Sequence, residues 1–560
     1  MKLVECVPNF SEGRDPDKIR MITREVETTP GVKLLDVDPG ASTNRTVVTF
    51  IGTPEAASEA AFRAIRRAAE VIDMRSHKGA HSRIGATDVC PFIPLSGVTM
   101  EDCVSLARGL GRRVADELGI PIFLYEEAAT SPARRNLAAI RQGEYEGLAE
   151  KLKDPDWKPD FGEPVLNPRA GATVIGAREF LIAYNINLDT RDRKLASEIA
   201  LNIRESGRVR RDKDGAVVRD AAGEAVKIPG RFPFVKAVGW YIEDYGRAQI
   251  SINFTHFKVT PIHVVFDAVC REAEKLGLRV TGSELVGLIP LEALLAAGRY
   301  YMRKQGKSAG CPEEELVRQA VLSLGLSDVA PFDPKKKIIE CQVEDTTAKL
   351  VKMDLRSFVN ELSMDSPAPG GGSVAALCGA LSAALSAMVA NLTVGKKGYE
   401  KAWRDLDRTA VGAQELKDAM LRAVDLDTVA FAKVMEAGRM PKATPEQQRE
   451  RAAALEEANH EAAAVPLGVL RESLALLKLA RAAALRGNVN SVTDAGVAAL
   501  TAASAAEGAY YNVLINLPNI ADASFRDRAK KEAASLRRRA LRRADDVKKM
   551  VEKGLRTKYK

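Results

Sequence analysis

Two short stretches of this chain hold side chains able to move protons. From Asp73 to Asp88 the sequence carries two of the chain's five histidines, His77 and His81, among Arg75, Lys78 and Arg83. Gly79 and Gly85 make this a loop ahead of a strand, and loops held by a sheet are common catalytic positions. Histidine titrates near neutral pH, so either ring is suited to shuttling a proton. The His-x-x-x-His spacing also suits a metal, but Gly79 spoils the helix that would align the rings, and no glutamate follows as in the zinc-protease pattern. In the second half, Asp427 has Met420, Ala423, Val424, Ala430, Phe431 and Val434 at helical neighbour positions. A carboxylate on such an apolar stripe must be paired or shift its pKa, which marks either an active site or a buried ion pair. Asp425 points about 200° away around the same helix.

A third feature is Pro367-Ala368-Pro369-Gly370-Gly371-Gly372-Ser373, opening onto an uncharged run from Val374 to Val394. The prolines exclude a regular helix up to 369, the glycines permit close backbone approach, and Ser373 is placed to cap the first turn. The run is long enough to span a bilayer. Its Ala, Ser and Gly content and its lack of an aromatic belt instead predict a central bundle helix.

The elements that must position these residues change type near residue 350. In residues 1–179 strand-like and helix-like segments follow a β-α-β-β-α-β order, and residues 180–328 repeat it. This predicts two ferredoxin-like βαββαβ subdomains of α/β (α+β) class. Arg208–Gly230 reads as a polar hairpin excursion. A linker with the lysine run Lys335–Lys337 and a short apolar strand is expected over 329–350, then an all-α helical-bundle domain over 351–560.

Composition narrows the function classes. With 46% hydrophobic and 28% charged residues the chain is an ordinary folded protein, not a disordered one. Of the net charge of +8, residues 526–560 supply +10, from 15 Lys or Arg against 5 Asp or Glu. Arg537–Arg539 and Arg542-Arg543 suit an RNA surface, yet no aromatics interleave for base stacking, and a solvated helix face is the plainer reading. Seven scattered cysteines point to reduced thiols in a cytoplasm. Glu5 falls where a signal peptide would carry its apolar core, so export is not expected.

Several motifs together resemble a known family. Val4-Glu5-Cys6-Val7-Pro8-Asn9-Phe10-Ser11-Glu12-Gly13, Leu35-Asp36-Val37-Asp38, Ser42-Thr43-Asn44-Arg45-Thr46-Val47 and His77-Lys78-Gly79-Ala80-His81 look like glutamate formimidoyltransferase. The glycine loop, Val424-Asp425-Leu426-Asp427, Met440-Pro441-Lys442, Thr444-Pro445-Glu446 and Tyr511–Leu517 look like formimidoyltetrahydrofolate cyclodeaminase. The whole therefore resembles the formimidoyltransferase-cyclodeaminase family. That resemblance implies transfer of a formimidoyl group from N-formimidoyl-L-glutamate to tetrahydrofolate, then cyclisation to 5,10-methenyltetrahydrofolate with loss of ammonia. It implies His81 and Asp427 as catalytic residues, with Asp38 a candidate to orient the ring or hold the amidinium.

Folate contacts are implied along Gly162, Glu163, Pro164, Val165, Leu166, Asn167, Pro168, Arg169, Ala170 and Gly171, at Gly230, and at Gly370, Gly371, Gly372 and Ser373. Tetrahydrofolate, carrying a polyglutamate tail, enters as substrate, and neither metal nor nicotinamide is implied. A ring-like homo-oligomer built from dimers, cytoplasmic and without membrane or nucleic-acid partners, is the expected assembly. Two alternatives stay open: a methenyltetrahydrofolate cyclohydrolase in the helical half, and a basic oligomeric scaffold for polyanions.

Overall fold

A computed structural model describes residues 2–41, 44–79, 82–220, 223–243, 245–342, 349–366 and 368–558. Two compact units emerge, one of 1–291 with 328–343, the other of 292–327 with 344–560.

In the first unit, the strands Leu3–Cys6 and Asn9–Phe10 lie end to end between Arg45–Gly52 and Thr87–Ser96, and Val32–Gly40 pairs outside Arg45–Gly52, all antiparallel. Numbering the strands by sequence gives the order 2-3-1-4, that of a ferredoxin-like sheet. The helices Pro16–Glu27, Pro54–Val71 and Met100–Leu118 contribute their apolar faces to one core with this sheet, through residues such as Ile22, Phe62, Ile65 and Leu110. Each begins at a side-chain cap, Asp15, Thr53 or Thr99, that takes up orphan backbone N–H groups. The sheet then continues in parallel through Thr173–Ala177 to Ile122–Glu126. The second subdomain repeats the order with Val235–Ile242, Arg247–Phe254, Ile182–Leu188 and Val280–Val286. Both predicted βαββαβ repeats are thus present.

Between them, the polar excursion is a small arm. Arg208–Val209 pairs with Lys227–Ile228, and two successive turns close at Gly215 and Gly223, both with φ +83°. The linker differs from expectation. Pro334–Lys337 is a helical turn, and the apolar Ile338 forms only an isolated bridge to Ile289, because Ile338 and Ile339 are consumed as buried anchors and not as a strand.

The second unit is built on long helices: Gly371–Asn391, Trp403–Arg439, Pro445–Arg486, Val492–Asn516 and Ala523–Lys558. Gly371–Asn391 is long and apolar enough to cross a membrane, but its small residues bury it within the bundle. A Cβ on Gly379 would lie 2.7 Å from Met420 Sδ, and one on Gly508 would lie 3.0 Å from Ala375 Cβ, so glycine sets the helix spacing. The short helix Glu313–Leu324 and Ser308–Gly310 also pack into this unit, with the Ala309 N–H donating to Asp407 and the Gly310 carbonyl accepting from Asn391 and Gln414. On the basic C-terminal helix, Arg537 pairs with Glu507 and Arg543 donates to the Leu474 carbonyl, while Arg538, Arg539 and Arg542 are exposed.

One buried carboxylate of the first sheet, Glu5, forms no ion pair among the described residues. Glu5 is 3% exposed, and burial pushes its carboxyl up to about 8, with Glu340 adding to the rise and Arg178 opposing it. The native state therefore holds a proton that the unfolded chain releases near 4.5, and this stabilisation drains away as pH rises from there through about 8. Glu5→Gln has no proton to lose. Its melting temperature relative to the parent should rise steadily between pH 5 and 8.5 in a thermal scan series, and a pH-independent difference would show that Glu5 is ionised throughout.

Candidate functional site

In the first unit the segment after the helix Pro54–Val71 is pinned from both sides. The Met74 N–H donates to the Arg169 carbonyl, the Ala86 N–H to Ala170, and the Ala172 N–H to Ile84. Gly171, at φ +69°, lies so close to Ile84 that a Cβ would fall 2.2 Å from its carbonyl oxygen. Asn167 holds its own turn by accepting from the Arg169 and Ala170 N–H groups. The stretch 162–171 and the histidine segment are thus laced together, with Val165 projecting into solvent.

Around the histidines, His77 Nε2 lies 2.9 Å from the Asn44 carbonyl oxygen, and Arg83 Nε donates to His77 Nδ1 at 3.1 Å. Arg83 is itself 5% exposed and is held by Glu144 at 2.7 Å and by both oxygens of Glu146. The Arg83 guanidinium pulls the Glu146 carboxyl down to about 2. Asn44, in the left-handed region at φ +49°, also accepts from the Gly13 N–H and donates to the Lys78 carbonyl, joining the two N-terminal motifs. Beneath them Asp88 is fully buried and receives Arg45 and Arg141. A cavity of about 490 Å³ opens at Lys78, Gly79, Arg83, Gly143, Glu144 and Glu146.

His81 lies outside the described residues. Asp38 is exposed on the edge strand Val32–Gly40, opposite Val47. Gly230 has a packing reason of its own, since a Cβ there would fall 1.9 Å from the Arg204 carbonyl oxygen.

In the helical unit the glycine turn and the acidic helix meet. The helix begins at Gly371, with Gly370 as its N-cap and no side-chain cap bond. Ser373 therefore does not cap its own helix as expected. Its buried hydroxyl donates to the Val424 carbonyl at 2.9 Å and lies 3.3 Å from Asp427 Oδ2, because the neighbouring helix offers stronger acceptors than the first turn. The Ser373 N–H also bonds the Asp427 carboxylate, placing that charge at the positive end of the Gly371–Asn391 helix. Even so, burial raises the Asp427 carboxyl above the usual range, with the two Ser373 bonds opposing. A Cβ on Gly372 would fall 2.0 Å from Asp427 Oδ1, so only glycine lets the carboxylate rest there. A Cβ on Gly371 would lie 3.5 Å from Asn512 Nδ2, which brings the cyclodeaminase-like Tyr511–Leu517 motif to the same turn.

Asp425 has a separate role. It is buried and accepts from the N–H groups of Lys349, Leu350 and Val351 at 2.9, 2.7 and 3.4 Å, fixing the chain's entry to the bundle.

Three family models match this chain: "Formiminotransferase domain, N-terminal subdomain" over residues 3–178, "Formiminotransferase domain" over 183–344 and "Formiminotransferase-cyclodeaminase" over 354–535. A Mus musculus formimidoyltransferase-cyclodeaminase is 46% identical over 545 residues, covering 97% of each chain. The chain belongs to the formimidoyltransferase-cyclodeaminase family. A glutamate formimidoyltransferase of Thermoplasma acidophilum is 45% identical over 55% of this chain and 95% of its own. A methenyltetrahydrofolate cyclohydrolase of Methylorubrum extorquens is 37% identical over 32% of this chain and 88% of its own.

Arg83 stands in the histidine segment of the sequence without an evident role, and nothing in the sequence marks Glu144 and Glu146 as its partners. The two glutamates lie more than 60 residues from the arginine and look like ordinary helix-start acids. Gly372 gives the sharpest check on the deaminase geometry. Gly372→Ala should lower ammonia release from supplied 5-formimidoyltetrahydrofolate by roughly a hundredfold through displacement of Asp427, with formimidoyl transfer unchanged. A rate within a factor of about three of the parent would mean that the carboxylate need not sit against the turn.

Proposed function

We propose that His81 and Asp427 are the proton-transfer groups of two successive folate reactions. The chain transfers a formimidoyl group from N-formimidoyl-L-glutamate to tetrahydrofolate and then cyclises 5-formimidoyltetrahydrofolate to 5,10-methenyltetrahydrofolate, releasing ammonia. The observation that carries this is the end-to-end match to relatives holding both activities, with the transferase models before residue 344 and the cyclodeaminase model after 354.

In the first reaction, N5 of tetrahydrofolate attacks the amidine carbon, and a tetrahedral intermediate forms with N5, the amidine nitrogen and the glutamate nitrogen all on that carbon. One group must take the proton from N5 and return one to the departing glutamate nitrogen, which suits the imidazole of His81. Asp38, the 162–171 loop and Gly230 are proposed to orient the amidinium and line the folate. In the second, N10 attacks the amidine carbon and the amine leaves as ammonia. A carboxyl raised by burial, yet bonded by the Ser373 N–H and hydroxyl, is poised to accept the N10 proton and pass one to the leaving nitrogen. Gly370, Gly371, Gly372 and Ser373 are proposed to lie against the pterin side of the folate.

The proposed folate is polyglutamylated, the assembly a ring-like homo-oligomer of dimers, and the compartment the cytoplasm. The cyclohydrolase alternative rests on the Methylorubrum extorquens relative, which matches 32% of this chain and 88% of its own length.

Purified chain given N-formimidoyl-L-glutamate and tetrahydrofolate should form methenyltetrahydrofolate, read by absorbance, together with ammonia. His81→Ala should form neither from that pair, yet convert supplied 5-formimidoyltetrahydrofolate at the parent rate. Asp427→Asn should accumulate 5-formimidoyltetrahydrofolate. Parent-like ammonia release by Asp427→Asn would remove that residue from the mechanism, and water-dependent loss of methenyltetrahydrofolate without any deamination would favour the cyclohydrolase.

A further inference from the structure

Ser373 has no exposed surface, and its hydroxyl has more acceptors in reach than it has hydrogens. Oγ lies 2.9 Å from the Val424 carbonyl oxygen and 3.3 Å from Asp427 Oδ2, with Thr428 Oγ1 at 3.5 Å. A serine hydroxyl donates one hydrogen and accepts at two lone pairs. It can therefore serve the carbonyl or the carboxylate, but not both at full strength.

The two acceptors differ in what they lose when that hydrogen leaves. Val424 sits inside the Trp403–Arg439 helix, so its carbonyl keeps the bond from the N–H four residues on. Asp427 keeps only the Ser373 N–H. A hydrogen bond to an ionised acceptor is roughly twice as strong as one to a neutral group, so a charged Asp427 draws the hydroxyl hydrogen to Oδ2. Once Asp427 is protonated that advantage is gone, and the hydrogen returns to the Val424 carbonyl. Rotation about the Cβ–Oγ bond is the only motion required.

The proposed deamination changes the charge of Asp427 twice in each turnover, first when it takes the N10 proton and again when it gives one to the leaving nitrogen. No charged side chain follows that change. Burial and the two Ser373 bonds account for the shift of the Asp427 carboxyl, Asn512 across the glycine turn is neutral, and Asp425 is turned to residues 349–351.

We infer that Ser373 is a positioning residue of the cyclodeaminase site: its hydroxyl follows the charge of Asp427, turning to the carboxylate when that is ionised and to the Val424 carbonyl when it is protonated. The inference rests on the reading of Asp427 as the proton-transfer group. The hydroxyl is directed into the helix interface, away from any ligand lying on the backbone of the turn, so it acts on kcat and not on KM.

The test uses the full chain as Ser373→Ala, Ser373→Cys and Asp427→Asn, assayed for ammonia release from supplied 5-formimidoyltetrahydrofolate across a pH series. Ser373→Ala keeps the N–H bond and loses the hydroxyl. Its kcat should fall roughly ten- to a hundredfold, with KM within about twofold of the parent. The acid limb of its kcat profile should move to higher pH, because the lost hydroxyl bond is one that holds the Asp427 carboxyl down. Ser373→Cys fills the same space with a weak donor, so its kcat and acid limb should stay close to those of Ser373→Ala. It also keeps the test decisive if the alanine variant fails to fold.

A parent-like kcat in Ser373→Cys would mean that the serine only fills space, and would overturn the inference. A fall in kcat with an unmoved acid limb, or a loss confined to KM, would do the same. Parent-rate ammonia release by Asp427→Asn would instead overturn the reading of Asp427. With that variant inactive, the two Ser373 variants decide the inference by themselves.

Discussion

A carboxylate removed from water must collect hydrogen-bond donors or hold its proton, and the chain resolves this differently at each buried acid. Asp88 takes two arginines, and Asp425 takes three backbone N–H groups. Both are satisfied and serve as struts. Asp427, two residues from Asp425 on the same helix, has only Ser373 as a donor among the described residues, and burial raises its carboxyl despite that partner. The difference between Asp425 and Asp427 is the number of donors that their surroundings supply. The glycine turn is what allows the shortage, because any side chain at 372 would fill the space in which the Asp427 carboxylate rests.

The first unit applies the same economy to bases. His77 and His81 share a segment, but Arg83 and Asn44 take up both nitrogens of His77. A histidine bonded at both ring nitrogens is a fixture of the fold. The scaffolds of the two units differ, a twisted sheet with helices in one and long small-residue helices in the other.

Much of this was legible in the sequence. The βαββαβ order showed through hydrophobic periodicity and turn residues, and the strand order 2-3-1-4 followed in both subdomains. Asp427 stood out because a helix brings positions three and four apart onto one face, so its apolar neighbours could be read directly. The bundle character of 374–394 could be read from its small residues. What could not be read were interactions closed by the tertiary fold. Ser373 was expected to cap its own helix, a local bond, but the fold brought the Val424 carbonyl and Asp427 within reach. Arg83 meets Glu144 and Glu146 only because the loop before the Glu144–Lys151 helix returns to the histidine segment. Asp425 seemed merely turned away from Asp427, and its role in gathering residues 349–351 needed coordinates.

The central claim is that one chain carries two chemically independent sites, each with its own proton-transfer residue. Mixing equal amounts of His81→Ala and Asp427→Asn protein with N-formimidoyl-L-glutamate and tetrahydrofolate tests it most directly. Two independent sites predict that the mixture forms methenyltetrahydrofolate and ammonia although neither variant alone does, the intermediate made by one being finished by the other. A mixture that stays as inactive as its components, while each variant retains its own partial reaction, would contradict that independence.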